Sequence, residues 1–233
     1  MNMKAYRLAL VGSLFALASL SFAQVSLKRT AKEGDTFTYK IKADLDFQGM
    51  SAQFTSKMTE KVVKIAADGT ITSESSQAET KVKLGDEEMD APDSGGTQTS
   101  IFKPNGEIVE MKGDMVDANA YRVAYMNSFF APETAVKEGD SWEKKIAADS
   151  KTGMVAAVAK YKVEKAEKVG AYDTFLLTYE YKESTGDAPA SSSGKVWVNT
   201  KDGSLVKFEG EWKNAPIAGA PMPISAKVFI ERV

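Results

Sequence analysis

The chain has 233 residues, 30 Lys and Arg against 32 Asp and Glu, 43% apolar and 27% charged residues, and neither His nor Cys. That balance fits a folded domain with its own core. The missing His and Cys exclude Ser-His-Asp and Cys-His nucleophiles, His- or Cys-ligated zinc, disulfides and iron-sulfur clusters, so any catalysis must run on carboxylates, Lys, Tyr or hydroxyls.

Residues 1–23 read as a secretory signal peptide. Lys4 and Arg7 precede an uncharged run from Leu8 to Leu20, and Ser21-Phe22-Ala23 supplies small residues for cleavage before Gln24. The apolar run is about 13 residues against the roughly 20 a spanning helix needs, so the expected product is a cleaved, exported chain, periplasmic or secreted, that does not span the membrane. With no Cys at the junction, a lipid anchor is not expected. Loss of Lys4 and Arg7 leaves 28 basic against 32 acidic residues, with no basic stripe, which argues against nucleic acid as a partner.

The rest reads as strands. Phe37, Tyr39, Ile41, Ala43, Leu45 and Phe47 alternate with polar residues from Thr36 to Asp46, the period of a half-buried antiparallel strand. Gln48-Gly49 turns the chain into a second strand from Ala52 to Ile65, where the pair Val62-Val63 breaks the alternation as a bulge does. After Asp68-Gly69 a Ser/Thr-rich strand runs from Thr70 to Leu84. Further strands are expected at 97–103, 107–112, 141–148, 154–167, 172–183, 194–199, 204–213 and 223–233, about eleven in all, mostly in meander order. Only Met115 to Phe130, closed by Pro132, has helical spacing, and its wide apolar side predicts a helix lying on the sheet. The segments 86–96 and 184–194 read as polar loops.

Lys32-Glu33-Gly34-Asp35-Thr36-Phe37 through Ile41 recurs as Lys137-Glu138-Gly139-Asp140-Ser141-Trp142 through Ile146. Each copy is followed at similar distance by a hairpin, around Asn105-Gly106 and Asp202-Gly203. The expected architecture is therefore mainly β: one large antiparallel meander sheet, curled or half-barrel. It forms a single domain, 24–233, of two related halves, 32–113 and 137–213, joined by a helical connector at 114–136.

Pro132 to Trp142, with its Val-Lys-x-Gly-Asp-Ser-Trp ending, resembles uncharacterised exported bacterial envelope proteins. The strand count and late hairpin are also similar to the lipoprotein-carrier (LolA-like) superfamily. That resemblance implies an incomplete β-barrel wrapping an apolar groove lidded by helices, and no ligand-binding residue transfers. Two features depart from it: residues 24–35 supply no opening helix, and the central helix stands alone.

No catalytic constellation emerges. Ser-x-x-Lys occurs at Ser100/Lys103, Ser141/Lys144, Ser192/Lys195 and Ser204/Lys207, mostly in strands, where i and i+3 face opposite ways. The acidic run Asp86, Glu87, Glu88, Asp90 and Asp93 does not match a calcium loop, and neither a metal nor a cofactor is expected. Two functions fit. One is a non-catalytic envelope module that docks another protein. The other is a carrier of an apolar ligand, an acyl chain or lipidated peptide, with Phe37, Tyr39, Phe175, Leu177 and Tyr179 as wall and Tyr121, Tyr125 and Phe129 as lid.

Overall fold

The computed structural model describes residues 24–47, 49–91, 96–186, 188–217 and 222–233. The expected signal peptide, 1–23, lies outside the described residues, as do 92–95 and Asp187 in the two expected loops. The strands are β1 Thr36–Phe47, β2 Met50–Ile65, β3 Ile71–Leu84, β4 Glu87–Asp90, β5 Gln98–Phe102 and β6 Ile108–Lys112. After α1, Ala118–Asn127, come β7 Ser141–Ile146, β8 Ala157–Val169, β9 Tyr172–Glu183, β10 Ser191–Asn199, β11 Leu205–Ala215 and β12 Ile224–Arg232. No helix among the described residues is long and apolar enough to cross a membrane.

All twelve strands form one antiparallel sheet in the order β6-β5-β3-β2-β1-β12-β11-β10-β9-β8-β7, with β4 paired to β3 off this path. The first and last strands meet in the middle of the sheet. The chain runs outward from β1 to the β6 edge, crosses through α1 to the opposite edge at β7, and returns inward to β12. The sheet curls without closing. At one end the two edges approach, where Lys144 of β7 meets Glu107, just before β6, at 2.7 Å.

Strand β4 is the one the sequence reading missed. Its four residues are all exposed, so burial writes no alternation into them. It is held by its ladder to β3 and by Lys81 to Glu88 at 2.7 Å. The helix is shorter than its apolar stripe suggested. Asp117 caps it by accepting from Ala120 N at 2.8 Å, and Ser128 ends it in an extended conformation, so Phe129 and Phe130 lie beyond it. The Val62-Val63 irregularity is a register shift against β3, as expected of a bulge.

The two Lys-Glu-Gly-Asp segments make the same hydrogen bonds. Asp35 Oδ2 accepts from Lys32 N at 2.7 Å, and Asp140 Oδ2 from Lys137 N at 2.9 Å. Gly34 N donates to Val62 O at 2.8 Å, and Gly139 N to Val163 O at 2.9 Å. Glu33 Oε1 accepts from Ile65 N at 3.0 Å, and Glu138 Oε1 from Ala166 N at 2.7 Å.

Residues 24–31 cross one end of the curled sheet as a strap. Val25 and Val136 exchange backbone bonds of 2.8 and 2.9 Å, Arg29 N donates to Pro104 O at 2.7 Å, and Thr30 N donates to Asp202 O at 2.8 Å. Leu27 is fully buried. The Arg29 guanidinium sits 3.0 Å from Glu60 Oε2 and lies over the rings of Phe37 and Phe102.

Gly203 lets the strap approach its hairpin. Its φ is +68°, and a Cβ there would lie 2.6 Å from the carbonyl oxygens of both Leu27 and Lys28. Gly203→Ala is expected to lower stability by about 2 kcal/mol or more. Gly170→Ala, also at positive φ but in open space, should cost only the left-handed backbone penalty of about 1 kcal/mol. Urea unfolding of both variants checks this, and equal losses would contradict the strap contact.

Candidate functional site

Strand alternation puts an aromatic row on the inner face of the second half. Trp142 pairs across the sheet with Tyr161, Tyr161 with Tyr179, Tyr179 with Gly194, and Gly194 with Gly210. The rings of Trp142 and Tyr161 stack at 5.3 Å, Tyr161 and Tyr179 at 6.4 Å, and Tyr179 meets Phe208 at 5.2 Å. Glycine on β11 makes the room: a Cβ on Gly210 would stand 2.5 Å from Tyr179 Oη and 2.7 Å from Phe208. From the other side Phe129 meets Trp142 and Tyr161 edge-on. Tyr161 Oη donates to Ser128 O at 2.9 Å, and Trp142 Nε1 donates to Phe130 O at 2.8 Å.

All eight residues expected to form wall and lid belong to the main hydrophobic core, of which this row is a part. Phe37, Tyr39, Phe175, Leu177, Tyr179, Tyr121 and Tyr125 are each no more than 9% exposed, and Phe129 is half-buried against them. The lid tyrosines hold the sheet edge. Tyr121 Oη accepts from Met111 N at 2.8 Å and donates to Met111 O at 3.2 Å, and Tyr125 Oη donates to Ile108 O at 3.3 Å. Arg122 makes a two-pronged pair with Glu183, both bonds 2.7 Å, and Glu183 also accepts from Ala190 N. Burial pushes the Tyr125 hydroxyl up to about 12, and it raises Tyr39, Tyr161, Tyr179 and Tyr181 as well.

The inner face of the first half has a different chemistry. One cross-strand row runs Ala43, Phe54, Val82, Met89, and the next runs Leu45, Ala52, Leu84, Glu87. At the β3–β4 end of these rows Leu84 is 50% and Met89 47% exposed. Farther down, polar residues take inward positions: Ser56, Glu60, Ser73 and Thr80 are buried, and Ser75, Gln77 and Gln98 are half-buried. Here a hollow of about 550 Å³ opens between Met58, Ser75, Gln77 and Gln98 on the sheet and Gly113 to Val116 ahead of α1. The sequence reading noted the Ser/Thr-rich strand but not this hollow. Its signal was the run Ser73, Ser75, Gln77 at every second position, on the face that carries Ile71.

Members of the Ser-x-x-Lys pairs are engaged by other residues. Ser204 Oγ donates to Asp202 at 2.6 Å and accepts from Arg232 at 3.0 Å, while Lys207 pairs with Glu209 at 2.7 Å. Lys144 is engaged by Glu107 and Lys103 by the same carboxylate. Among the described residues no group of three or more Asp or Glu could hold a metal ion.

No protein-family model matches the chain, and no curated protein does. Two solved chains are similar in backbone. One, from Bacteroides fragilis, is called a "putative exported protein with YmcC-like fold"; it is 11% identical, with a TM-score of 0.37 covering 89% of this chain and 99% of that one. The other, from Parabacteroides distasonis, is called a "putative lipoprotein"; it is 13% identical, with a TM-score of 0.36 covering 91% and 100%.

The raised tyrosines make stability depend on pH in the alkaline range. Their folded form keeps protons that the unfolded chain loses above its ordinary value of 10.0. Their contribution is therefore complete below pH 10 and is lost as pH rises towards 12, at about 1.4 kcal/mol per unit for each such group. Urea midpoints measured from pH 8 to pH 12 beside tyrosinate absorbance should fall together. Hydroxyls that ionise near pH 10 in a chain still fully folded would show that these rings are not buried.

Proposed function

We propose that this chain is a non-catalytic, exported interaction module of the bacterial envelope that docks another envelope protein on the first half of its concave face. One observation supports this reading. The concave face of the second half is filled by its own aromatics and residues 128–131, whereas the first half keeps a hollow of about 550 Å³ with Met115, 66% exposed, at its mouth. Export rests on the charge and length pattern of residues 1–23. The shared hydrogen bonds at Lys32–Asp35 and Lys137–Asp140 support the reading of 32–113 and 137–213 as related halves.

Docking by strand addition is less favoured than docking in the groove. Edge strand β6 already gives Met111 N–H to Tyr121, and edge strand β7 is short and carries Lys144 and Lys145, which discourage pairing with a further strand. A photo-crosslinking residue at Met115 should yield one discrete protein adduct in intact cells, while the same residue at exposed Glu143 on β7 should yield none. An adduct only from position 143 would move the interface to the sheet edge.

A second reading, a carrier of an acyl chain or lipidated peptide, is favoured by the exposed Leu84 and Met89 beside Phe54 and Val82. It is the reading that the lipoprotein-carrier resemblance implies. In this version the ligand lies on those four residues and not on the Tyr179 row. Leu84→Glu with Met89→Glu should then abolish uptake of a fluorescent fatty acid without changing the urea midpoint. Tyr179→Glu should instead unfold the chain, by about 3 kcal/mol or more. A wild-type chain that takes up no probe sinks the carrier reading.

A further inference from the structure

We propose that Asn105-Gly106 is a site of spontaneous covalent modification, conversion of the asparagine to aspartate or isoaspartate, which the folded chain holds in check and which hinders the 24–31 strap from closing again once it has occurred. The inference is independent of the docking role, since none of the residues involved lines the hollow assigned to it.

Asn105 is the only asparagine of the chain that precedes a glycine. Glycine has no Cβ to shield its main-chain nitrogen. That nitrogen attacks Asn105 Cγ and gives up its proton, the side-chain nitrogen leaves as ammonia, and a five-membered succinimide forms. Water then opens the ring. Attack at Cγ leaves an aspartate, and attack at the Asn105 main-chain carbonyl carbon leaves an isoaspartate, whose main chain runs through the former side chain. The balance is one water consumed, one ammonia released and one negative charge gained, with no oxidant or reductant.

The fold holds both reacting groups apart. Gly106 N donates to Lys103 O at 2.9 Å, so the attacking nitrogen keeps its proton in a hydrogen bond. Asn105 Oδ1 accepts from Glu107 N at 3.2 Å and Nδ2 donates to Glu133 Oε1 at 3.4 Å, so the carboxamide is pinned at both of its atoms. Asn105 O accepts from Ala131 N at 3.0 Å, and Gly106, at φ +87°, lies so close to the Phe129 carbonyl that a Cβ there would collide with it. The turn therefore reacts from an opened state, at a rate proportional to the fraction of chains that are open.

Both products damage the anchor of the strap. Glu133 takes Asn105 on one oxygen and Lys28 of the strap on the other, at 2.5 Å, and Pro104 O takes Arg29 N at 2.7 Å. Aspartate at 105 replaces the donor facing Glu133 with a second carboxylate, which repels it. Isoaspartate adds a main-chain carbon to a turn that has no room beside Phe129. The other hairpin that holds the strap carries Asp202-Gly203, where Asp202 Oδ1 already accepts from Ser204 N at 2.9 Å and Ser204 Oγ at 2.6 Å. An aspartate has no ammonia to lose and gains no charge on conversion, so the change enters at the Asn105 end.

The test is peptide mapping by mass spectrometry of the full mature chain in mildly alkaline buffer, folded or unfolded in urea, following the gain of one mass unit at Asn105. The unfolded chain should convert at least about tenfold faster. Leu27→Ala empties a fully buried strap position and should speed conversion of the folded chain severalfold. Ile224→Ala, a core truncation at the end of β12 far from Arg232, should speed it less. A chain converted in urea and refolded should exchange its Arg29 amide proton faster than the wild type and have a lower urea midpoint. Asn105→Asp should lower the midpoint in the same direction, and Glu133→Gln added to it should recover most of the loss. Equal rates in folded and unfolded chains would overturn the protection. Equal acceleration by the two truncations would overturn the strap as its gate, and a converted chain with wild-type exchange at Arg29 would overturn the effect on closure.

Discussion

A sheet that curls but does not close has two edges, and each presents backbone donors and acceptors that lack a neighbouring strand. This fold meets that constraint with side chains. Tyr121 both accepts the Met111 N–H and donates to the Met111 carbonyl, so a single hydroxyl stands in for a missing strand at β6. Tyr125 donates to the Ile108 carbonyl three residues earlier. At β7 the link is made by Trp142 to the Phe130 carbonyl and by Lys144 to Glu107, whose carboxyl is held below its usual range by Lys103 and Lys144. The crossover from one edge to the other is thus also the seal between them.

Sealing the edges with one short helix divides the interior unequally. Residues 128–131 turn onto the second half, where Tyr161 holds the Ser128 carbonyl and Phe129 wedges between Trp142 and Tyr161. The rings fit because β10 and β11 present Gly194 and Gly210 beneath them. Over the hollow of the first half Gly113–Val116 reaches across, and the facing strands answer with Ser75, Gln77 and Gln98 in place of rings. A register shift between Thr55 and Lys57, with Glu79 at φ 55°, interrupts the β2–β3 ladder beside Gln77. Aromatic volume on one side and small polar groups on the other follow from where the connector lies.

This asymmetry explains how far the sequence could be read. Alternation from Thr36 to Phe47 locates β1 because one face of that strand is buried and the other is wet. β4 carries no such contrast, and β10 begins earlier than expected because Ser192, a polar residue, points into the core and bonds Tyr179. The helix is shorter than its apolar spacing predicts, because Phe129 and Phe130 are as apolar as its inner face although they pack from beyond the extended Ser128. The eight aromatic and aliphatic residues were legible as buried. Periodicity does not say whether a buried face meets its own chain or a ligand, and here Tyr179 and Phe129 meet other rings, Tyr121 and Tyr125 meet backbone carbonyls, and Phe37 meets two guanidinium groups. The hollow was harder to see, since a hydroxyl at an inward position looks in sequence like a break in the pattern.

The strap reaches the row that floors that hollow. Arg29 is drawn in from a segment outside the sheet and paired with Glu60 on β2, both side chains largely shielded from water. Burying two charges is costly, and the pair holds only if its geometry is kept by other contacts. Those contacts are the rings of Phe37 and Phe102 against the guanidinium and the backbone bonds to Pro104 and Asp202 on either side. Pro104 belongs to the β5–β6 hairpin and Asp202 to the β10–β11 hairpin, so eight residues tie the two meanders together from below. Opening the strap would free Glu60, which sits in the same cross-strand row as Ser75 and Gln98. An unpaired carboxylate at that point would draw water into this row, so its charge balance depends on the arginine that the strap brings to Glu60.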